Sequence, residues 1–531
     1  MTNLLLDSKL ELLERIKNSK DINIPPMQYW NYNACPAHTE IGPQVDCKFQ
    51  ACGGDLFAHQ RVAAAWLYAV ERGLLADDPG VGKTNTILAL IALLKEKNAL
   101  TKRALIIPQT PSVTQWAHEI TRWTKLKVVA VDGSIPKAKR ISLYATTSWD
   151  ILVVGSHCAI SDKAQLVQRG PYDVVVTDDV DPLLNHDNAT HQAIEQIARG
   201  ATRSFTVNAT ALQMRLEQLH AALVPAGGHD IFGSLDAFKR RYVQTENVLV
   251  VENGKVSYTK KDTGYKHQTE FKRKFSSTYM RRRATDLDDI RMPELMPPVI
   301  EWLEMSAPQR ARYTELQEGV LRLLREEGEQ VKHLTALTQF TYGQQICAGL
   351  PALKEPDGPY ASPKLDRLFH YMNTVWADRK VVVFAKNVGM VRAGLMRAQA
   401  QGIGAAVVWG QQKKDSRTEQ IRRFREIDNV QLMFGTVSIE RSLNLQVANT
   451  VVGLDLQLNP ARVKQLLGRV QRAGSSHDHV YMFNFMMSNS QESRYQEVLM
   501  RRQALFDNTF DETSEIFESL PPLELLRLMQ P

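Results

Sequence analysis

The chain has 531 residues, 44% of them apolar and 23% charged, the balance of a soluble globular protein with room for about three or four domains. Its net charge of +7 favours polyanionic partners. Its five cysteines argue against a disulfide framework and for a reducing compartment, and no apolar run reaches the ~18 residues of a membrane span.

Residues 1–20 read as an amphipathic helix with interspersed charges and without the apolar centre of a signal peptide, so an intracellular protein is expected. Next come Cys35-Pro36-Ala37-His38 and Cys47-Lys48-Phe49-Gln50-Ala51-Cys52. Cys35, His38, Cys47 and Cys52 offer four ligands for a tetrahedral zinc ion. The competing reading is of unrelated reduced thiols, because Cys47 and Cys52 stand one residue further apart than in a usual knuckle. Cys158 and Cys347 read as core thiols.

From about residue 55 to 225, short β-branched runs alternate with helical patterns. Ala104 to Pro108, Val128 to Val131, Ile151 to Val154 and Val174 to Val176 read as buried strands. Such alternation predicts a parallel sheet covered by helices on both faces. Residues 227–354 have a different texture, rich in Arg and Lys, and are expected to be helical. The prolines 293, 297 and 298 read as a connector between lobes. A second α/β unit follows, with strands expected at 381–384, 405–408, 431–434, 450–454 and 480–485, then an amphipathic helix over 491–506. Trp302, Trp376 and Trp409 read as core. His186, His191 and His220 show no metal-ligand or catalytic spacing.

Leu75-Ala76-Asp77-Asp78-Pro79-Gly80-Val81-Gly82-Lys83-Thr84 precedes an apolar helix. Glycines Gly80 and Gly82 let backbone N–H groups approach phosphate oxygens, and a helix N-terminus adds partial positive charge. Lys83 is then placed for the β- and γ-phosphates and Thr84 for magnesium. The plain P-loop pattern wants glycine where Asp77 stands. Downstream, the strand Val174-Val175-Val176-Thr177 runs into Asp178-Asp179. A strand ending in carboxylates after a P-loop suits a magnesium-holding Asp178 and a water-orienting Asp179. Late in the second unit comes Gln465-Leu466-Leu467-Gly468-Arg469-Val470-Gln471-Arg472. Arg469 and Arg472, three residues apart, are expected to share a helix face and clamp a γ-phosphate presented by the other lobe.

These three boxes, in this order, resemble the superfamily-two helicase motors, and more finely the Swi/Snf-like DNA translocases. The resemblance extends over roughly residues 55–529. Leu56-Phe57-Ala58-His59-Gln60 is similar to the family's glutamine motif, which implies that Gln60 reads adenine. Leu75-Ala76-Asp77-Asp78 resembles the family's Leu-Ala-Asp-Glu lead and accounts for the missing glycine; Asp78 joins the nucleotide-binding set. Asn208 to Gln213 resembles motif III, with Thr210 and, from the arginine box, Gln465 at nucleotide-binding positions. Thr110, Ser156, Lys386 and Thr436 fall where the family grips the DNA backbone. Residues 491–506 resemble the helix that braces the first lobe. Asp179 in place of glutamate, and Ala209, Ala211 and Glu440 in place of motif residues, imply slower hydrolysis or looser coupling.

The resemblance implies an α/β fold of two RecA-like lobes. The expected plan is an N-terminal segment at 1–54, a first lobe at 55–230, a helical region and connector at 231–355, a second lobe at 356–490 and a brace with tail at 491–531. It also implies ATP and magnesium as ligands and double-stranded DNA as track, with single-stranded or branched DNA as further partners. A strand-separating helicase of the same superfamily and a DNA-binding scaffold whose motor has decayed are the alternatives. The expected location is the cytoplasm of a microbial or virus-infected cell, with the nucleus as alternative.

Overall fold

The computed structural model describes residues 11–32, 55–146, 148–208, 216–252, 255–288, 290, 292–327, 333–353, 362–410, 412, 414–436, 445–455, 460–472, 475–497 and 526–530. They fall into two compact units, Met1–Arg291 and Met292–Pro531.

The first unit carries β1 (Arg72–Leu75), β2 (Ala104–Pro108), β3 (Val128–Val131), β4 (Ile151–Val154), β5 (Val174–Asp178), β6 (Arg203–Val207), β7 (Val243–Glu252), β8 (Lys255–Tyr265) and β9 (Tyr279–Met280). Seven of them form one sheet in the order β3-β4-β2-β5-β6-β1-β9. Every pairing in it is parallel. β2 and β4 are buried along their whole length, which is why they read as continuous apolar runs. The helix Lys83–Glu96 is buried at every residue from Thr86 to Leu94. It shares one apolar cluster with the helix Ala58–Val70 and with Leu75, Ala104 and Ile106. A helix apolar on all sides belongs inside a domain. Leu13, Met27 and Trp30 join the same cluster, and Trp30 stacks on Trp123 with centroids 5.9 Å apart.

The second unit carries β10 (Glu294–Leu295), β11 (Val299–Leu303), β12 (Val381–Phe384), β13 (Gly404–Val408), β14 (Val430–Gly435), β15 (Thr450–Gly453) and β16 (His479–Met487). Their order is β10-β16-β15-β12-β14-β13, with β11 also on β16, again all parallel. The helices Ala307–Glu327 and His333–Ala348 bring Tyr313 and Phe340 into its core. The architecture is the expected one: two parallel α/β sheets. No described helix is long and apolar enough to cross a membrane.

Three details differ from the sequence expectations. The stretch expected to be helical contains the antiparallel hairpin β7–β8, paired from Val243↔Tyr265 to Glu252↔Lys255. The prolines at 293, 297 and 298 do not mark a bare connector, since β10 and β11 between and after them pair with β16. Proline is tolerated at strand starts and edges because no ladder donor is lost there. Trp302 is 44% exposed rather than core, whereas Trp376 is buried. The expected brace helix is described only over 491–497, where its first residue is anchored: Tyr313 Oη accepts from Gln491 N at 2.6 Å, and Gln491 Nε2 donates to Phe340 O at 2.9 Å. Its remainder lies outside the described residues.

Candidate functional site

Three strands set the site in the first unit. Leu75 of β1 pairs with Val207 of β6, and Val207 pairs with Asp178 of β5. Pro108 of β2 continues the row beside Asp178. The P-loop and the acidic box therefore leave the same carboxyl rim, two strands or ~10 Å apart. That rim is where parallel α/β sheets bind ligands.

The loop after β1 is shaped by Gly80 and Gly82, with φ of +88° and +87°. Gly82 caps the helix that begins at Lys83, and a Cβ there would collide with the Gln60 side chain. Lys83 Nζ donates to the carbonyls of Asp77 and Asp78 at 2.7 and 3.0 Å. Thr84 follows, partly exposed. Gln60 is only 3% exposed. Its Oε1 accepts from Phe57 N at 3.2 Å and its Nε2 lies 3.4 Å from the carbonyls of both Val81 and Gly82. The side chain expected to read adenine here holds the loop. His59 Nε2 meets Val81 O at 2.9 Å. Asp78 is approached by Arg281 at 3.7 Å and accepts from Ala284 N at 3.3 Å.

At the end of β5, Asp178 Oδ2 accepts the indole N–H of Trp116 at 2.8 Å. Asp179 has φ of +54°, the left-handed region that Asp enters more readily than most side chains. Its N–H donates to Val207 O at 2.9 Å, and its carbonyl accepts from Gln109 Nε2. Asp179 Oδ1 is buried without a hydrogen-bond partner. A buried acceptor without a donor is costly and calls for water or a cation. Positive-φ glycines, a lysine and two carboxylates on one rim thus fit a magnesium-bound triphosphate.

The expected backbone-gripping residues lie on the same rims. A Cβ on Gly155 would sit 3.1 Å from Thr110 Oγ1, so Thr110 and the neighbouring Ser156 come together in the first unit. Thr110 Oγ1 is buried and unpartnered, and Ser156 is 7% exposed. In the second unit, Phe384 pairs with Gly435, and Ala385 N donates to Gly435 O at 3.0 Å, which places Lys386 beside Thr436. Lys386 N donates to Asp455 Oδ2 at 2.6 Å. Burial pushes the Asp455 carboxyl above its ordinary pKa. Behind it the buried Lys364 ammonium donates to Leu454 O and to both oxygens of Glu492, each at 2.9 Å.

The arginine box differs from its expected geometry. Its helix, Pro460–Val470, bears Gln465 and Arg469 but stops before Arg472. Arg472 Nε turns back onto Gly468 O at 3.0 Å, so the two arginines do not share a helix face. Thr210, Cys35, His38, Cys47 and Cys52 lie outside the described residues, as do Ala209, Ala211 and Glu440. Among the described residues no His, Cys, Asp and Glu group is arranged to hold a metal ion.

The profile of the SNF2-related domain matches residues 59–350, and that of the helicase conserved C-terminal domain matches residues 363–474. The chain belongs to the SNF2-related family. Relatives include the probable ATP-dependent DNA helicase CHR12 of Arabidopsis thaliana, 24% identical over 85% of this chain and 41% of that protein. An uncharacterized ATP-dependent helicase of Mycoplasma pneumoniae is 23% identical over 89% of this chain and 44% of its own length. YqhH, an uncharacterized ATP-dependent helicase of Bacillus subtilis, is 22% identical over 85% of this chain and 78% of its own. The SNF2-related chain thus spans less than half the length of the first two. Among solved structures, the Sulfolobus solfataricus SWI2/SNF2 ATPase core in complex with dsDNA aligns over 90% of this chain and 97% of that one, at 16% identity and a TM-score of 0.38.

Sequence spacing missed a histidine cluster in this SNF2-related chain. His186, just after the acidic box, lies 4.5 Å from His191 and 5.1 Å from His220 between ring centroids. His186 Nε2 and His220 Nδ1 are 3.1 Å apart, and His220 Nε2 meets Gly233 O at 3.0 Å. Since a carbonyl only accepts, His220 donates through Nε2 and accepts at Nδ1 from His186 when neutral. Burial, reinforced by the neighbouring histidines, lowers both His186 and His220 to a pKa of about 4. The contact links the turn after β5 to the helix Leu216–Leu223.

Proposed function

We propose that this SNF2-related chain is an ATP-driven motor that tracks along double-stranded DNA. The carrying observation is the single rim row of Leu75, Val207 and Asp178, which brings the P-loop and the acidic pair into one phosphate-binding edge. Family membership supports ATP hydrolysis as the reaction. In this reading Lys83 and the loop N–H groups bind the triphosphate. Asp179 orients the attacking water through the buried Oδ1, and Arg469 and Arg472 stabilise charge on the transferred phosphoryl group. Thr84 and Asp178 would hold magnesium, which when bound would neutralise phosphate charge.

Thr110 with Ser156, and Lys386 with Thr436, form one pair per unit at the carboxyl rims. Two such grips, each contacting sugar-phosphate oxygens rather than bases, suit a machine that must step over any sequence. The cysteine-poor composition fits work in a reducing intracellular compartment. Zinc at Cys35, His38, Cys47 and Cys52 remains part of the proposal from spacing alone.

The deciding experiment measures ATP turnover with no DNA, single-stranded DNA and duplex DNA side by side, with triplex displacement and strand displacement as movement assays. Duplex-stimulated turnover with triplex displacement and no strand separation is expected. Strand separation would make the chain a helicase proper, and the absence of DNA-stimulated turnover would leave a DNA-binding scaffold.

A further inference from the structure

The first position of the phosphate loop is a carboxylate, and its charge has a dedicated partner. Asp77 is 1% exposed. Its Oδ1 accepts from Arg282 N at 2.9 Å and from Arg282 Nε at 3.2 Å, and its Oδ2 accepts from Arg282 Nη2. The two residues are 205 positions apart in sequence. The same guanidinium donates through Nη1 to His59 O, and the His59 ring holds Val81 O at 2.9 Å. One arginine therefore reaches the loop at its entry directly and at its far side through His59. From within the loop, Lys83 Nζ grips the carbonyls of Asp77 and Asp78.

The backbone repeats the connection. Leu74 N, Ala76 N and Asp78 N donate in turn to the carbonyls of Thr278, Met280 and Arg282, at 2.7, 2.8 and 3.0 Å. The short strand β9 thus runs alongside the residues that lead into the loop. Gly73 permits this approach, since a Cβ there would come within 2.8 Å of Thr278 O.

A carboxylate at the mouth of a triphosphate site repels its ligand unless a cation neutralises it, and the repulsion is strong where water is scarce. We infer that Arg282 is a positioning residue of the nucleotide site: it neutralises Asp77 and braces the P-loop so that Lys83 can exchange its carbonyl partners for phosphate oxygens. This rests on the nucleotide-binding reading above.

The test uses the full chain and compares wild type, Lys83→Ala, Arg282→Gln, Arg282→Lys and the double variant Asp77→Asn/Arg282→Gln. Steady-state ATP turnover and binding of a fluorescent ATP analogue are read for each, with circular dichroism as the folding check. Arg282→Gln is expected to raise the KM for ATP about tenfold or more while kcat changes less than about threefold, because a ground-state repulsion is exposed. The double variant is expected to recover most of that KM, since the charge requiring neutralisation is gone. Arg282→Lys, which keeps the charge but loses the fork, falls between. A residue that only anchored β9 would lower thermal stability and would gain nothing from Asp77→Asn. A folded Arg282→Gln protein with wild-type KM, or a double variant no better than the single, overturns the inference. If Arg282→Gln does not fold, Arg282→Lys decides, and a wild-type KM there overturns it. Wild type binding the analogue no better than Lys83→Ala is a separate result: it rejects the nucleotide reading and the Arg282 role with it.

Discussion

Trp116 and Asp178 are joined by an indole N–H···Oδ2 bond of 2.8 Å, which ties the helix Val113–Trp123 to the last residue of β5. A hydrogen bond to a charged acceptor contributes about 1.5–3 kcal/mol, enough to hold the carboxylate in one orientation. Trp116→Phe keeps the apolar ring and removes the donor. It should lower kcat about tenfold and raise the magnesium concentration needed for half-maximal turnover. Titration of turnover against magnesium reads both effects, and a wild-type magnesium profile would count against the positioning of Asp178.

Lys83→Ala removes the only side-chain cation of the phosphate loop, 77–84. ATP turnover should fall by about a hundredfold or more, as for other preorganised charge contacts to a transferring phosphoryl group. Far-UV circular dichroism should be unchanged, because the Nζ bonds to the carbonyls of Asp77 and Asp78 hold a loop and no helix or strand. Persisting turnover in the folded variant rejects the P-loop assignment.

The histidine cluster predicts an acid-sensitive first unit. An ordinary histidine takes up its proton near pH 6.5, and His186 and His220 do so only near pH 4 in the fold. Below pH 6.5 the unfolded chain binds protons that the folded one refuses. The stability contributed by these neutral rings is therefore full above pH 6.5 and is lost as pH falls towards 4. Urea midpoints between pH 7.5 and 5 should drop, and His186→Gln should flatten that drop. The Glu195 carboxylate, 3.4 Å from His229, works against this lowering at His186 and His191. An unchanged pH slope in His186→Gln removes the cluster from the account.

Lys364 and Glu492 form an ion pair with side-chain exposures of 0% and 1%. Removing one partner strands the other charge in the core, so Glu492→Gln should destabilise the second unit by about 3–5 kcal/mol. The apolar pair Lys364→Met/Glu492→Leu should lose less than either single change, because neither partner of the ion pair is left stranded. Equilibrium urea unfolding of the three variants measures the difference. Equal losses for single and double variants would mean that packing, not charge, dominates here.

The parallel sheets were legible because their central strands are short β-branched runs buried along their length, as at Ile151–Val154 and Val381–Phe384. The P-loop and acidic box were legible because their chemistry is local in sequence. The hairpin β7–β8 was missed although its signal was present: β-branched residues alternate with polar ones around Asn253-Gly254, the strongest short hairpin cue. High Arg and Lys content had masked it. Arg282 was legible only as one of a run of basic residues, since its partner is 205 positions away and nothing local marks the pairing. The histidines were hidden for the same reason: separations such as the 34 residues between His186 and His220 match no ligand pattern. Arg472 was misplaced because a three-residue spacing implies a shared face only while the helix continues, and this one ends at Val470.

In the first sheet the phosphate loop, the acidic box, Thr110 and Ser156 all leave the strands at one rim, and the opposite rim includes exposed turn residues such as Thr101, Lys102 and Gly200. That geometry separates what must stay invariant from what can be edited. A dye, an affinity handle or a fused domain grafted at Thr101 or Gly200 would sit at the rim away from the phosphate loop, and a labelled chain would keep its nucleotide site untouched.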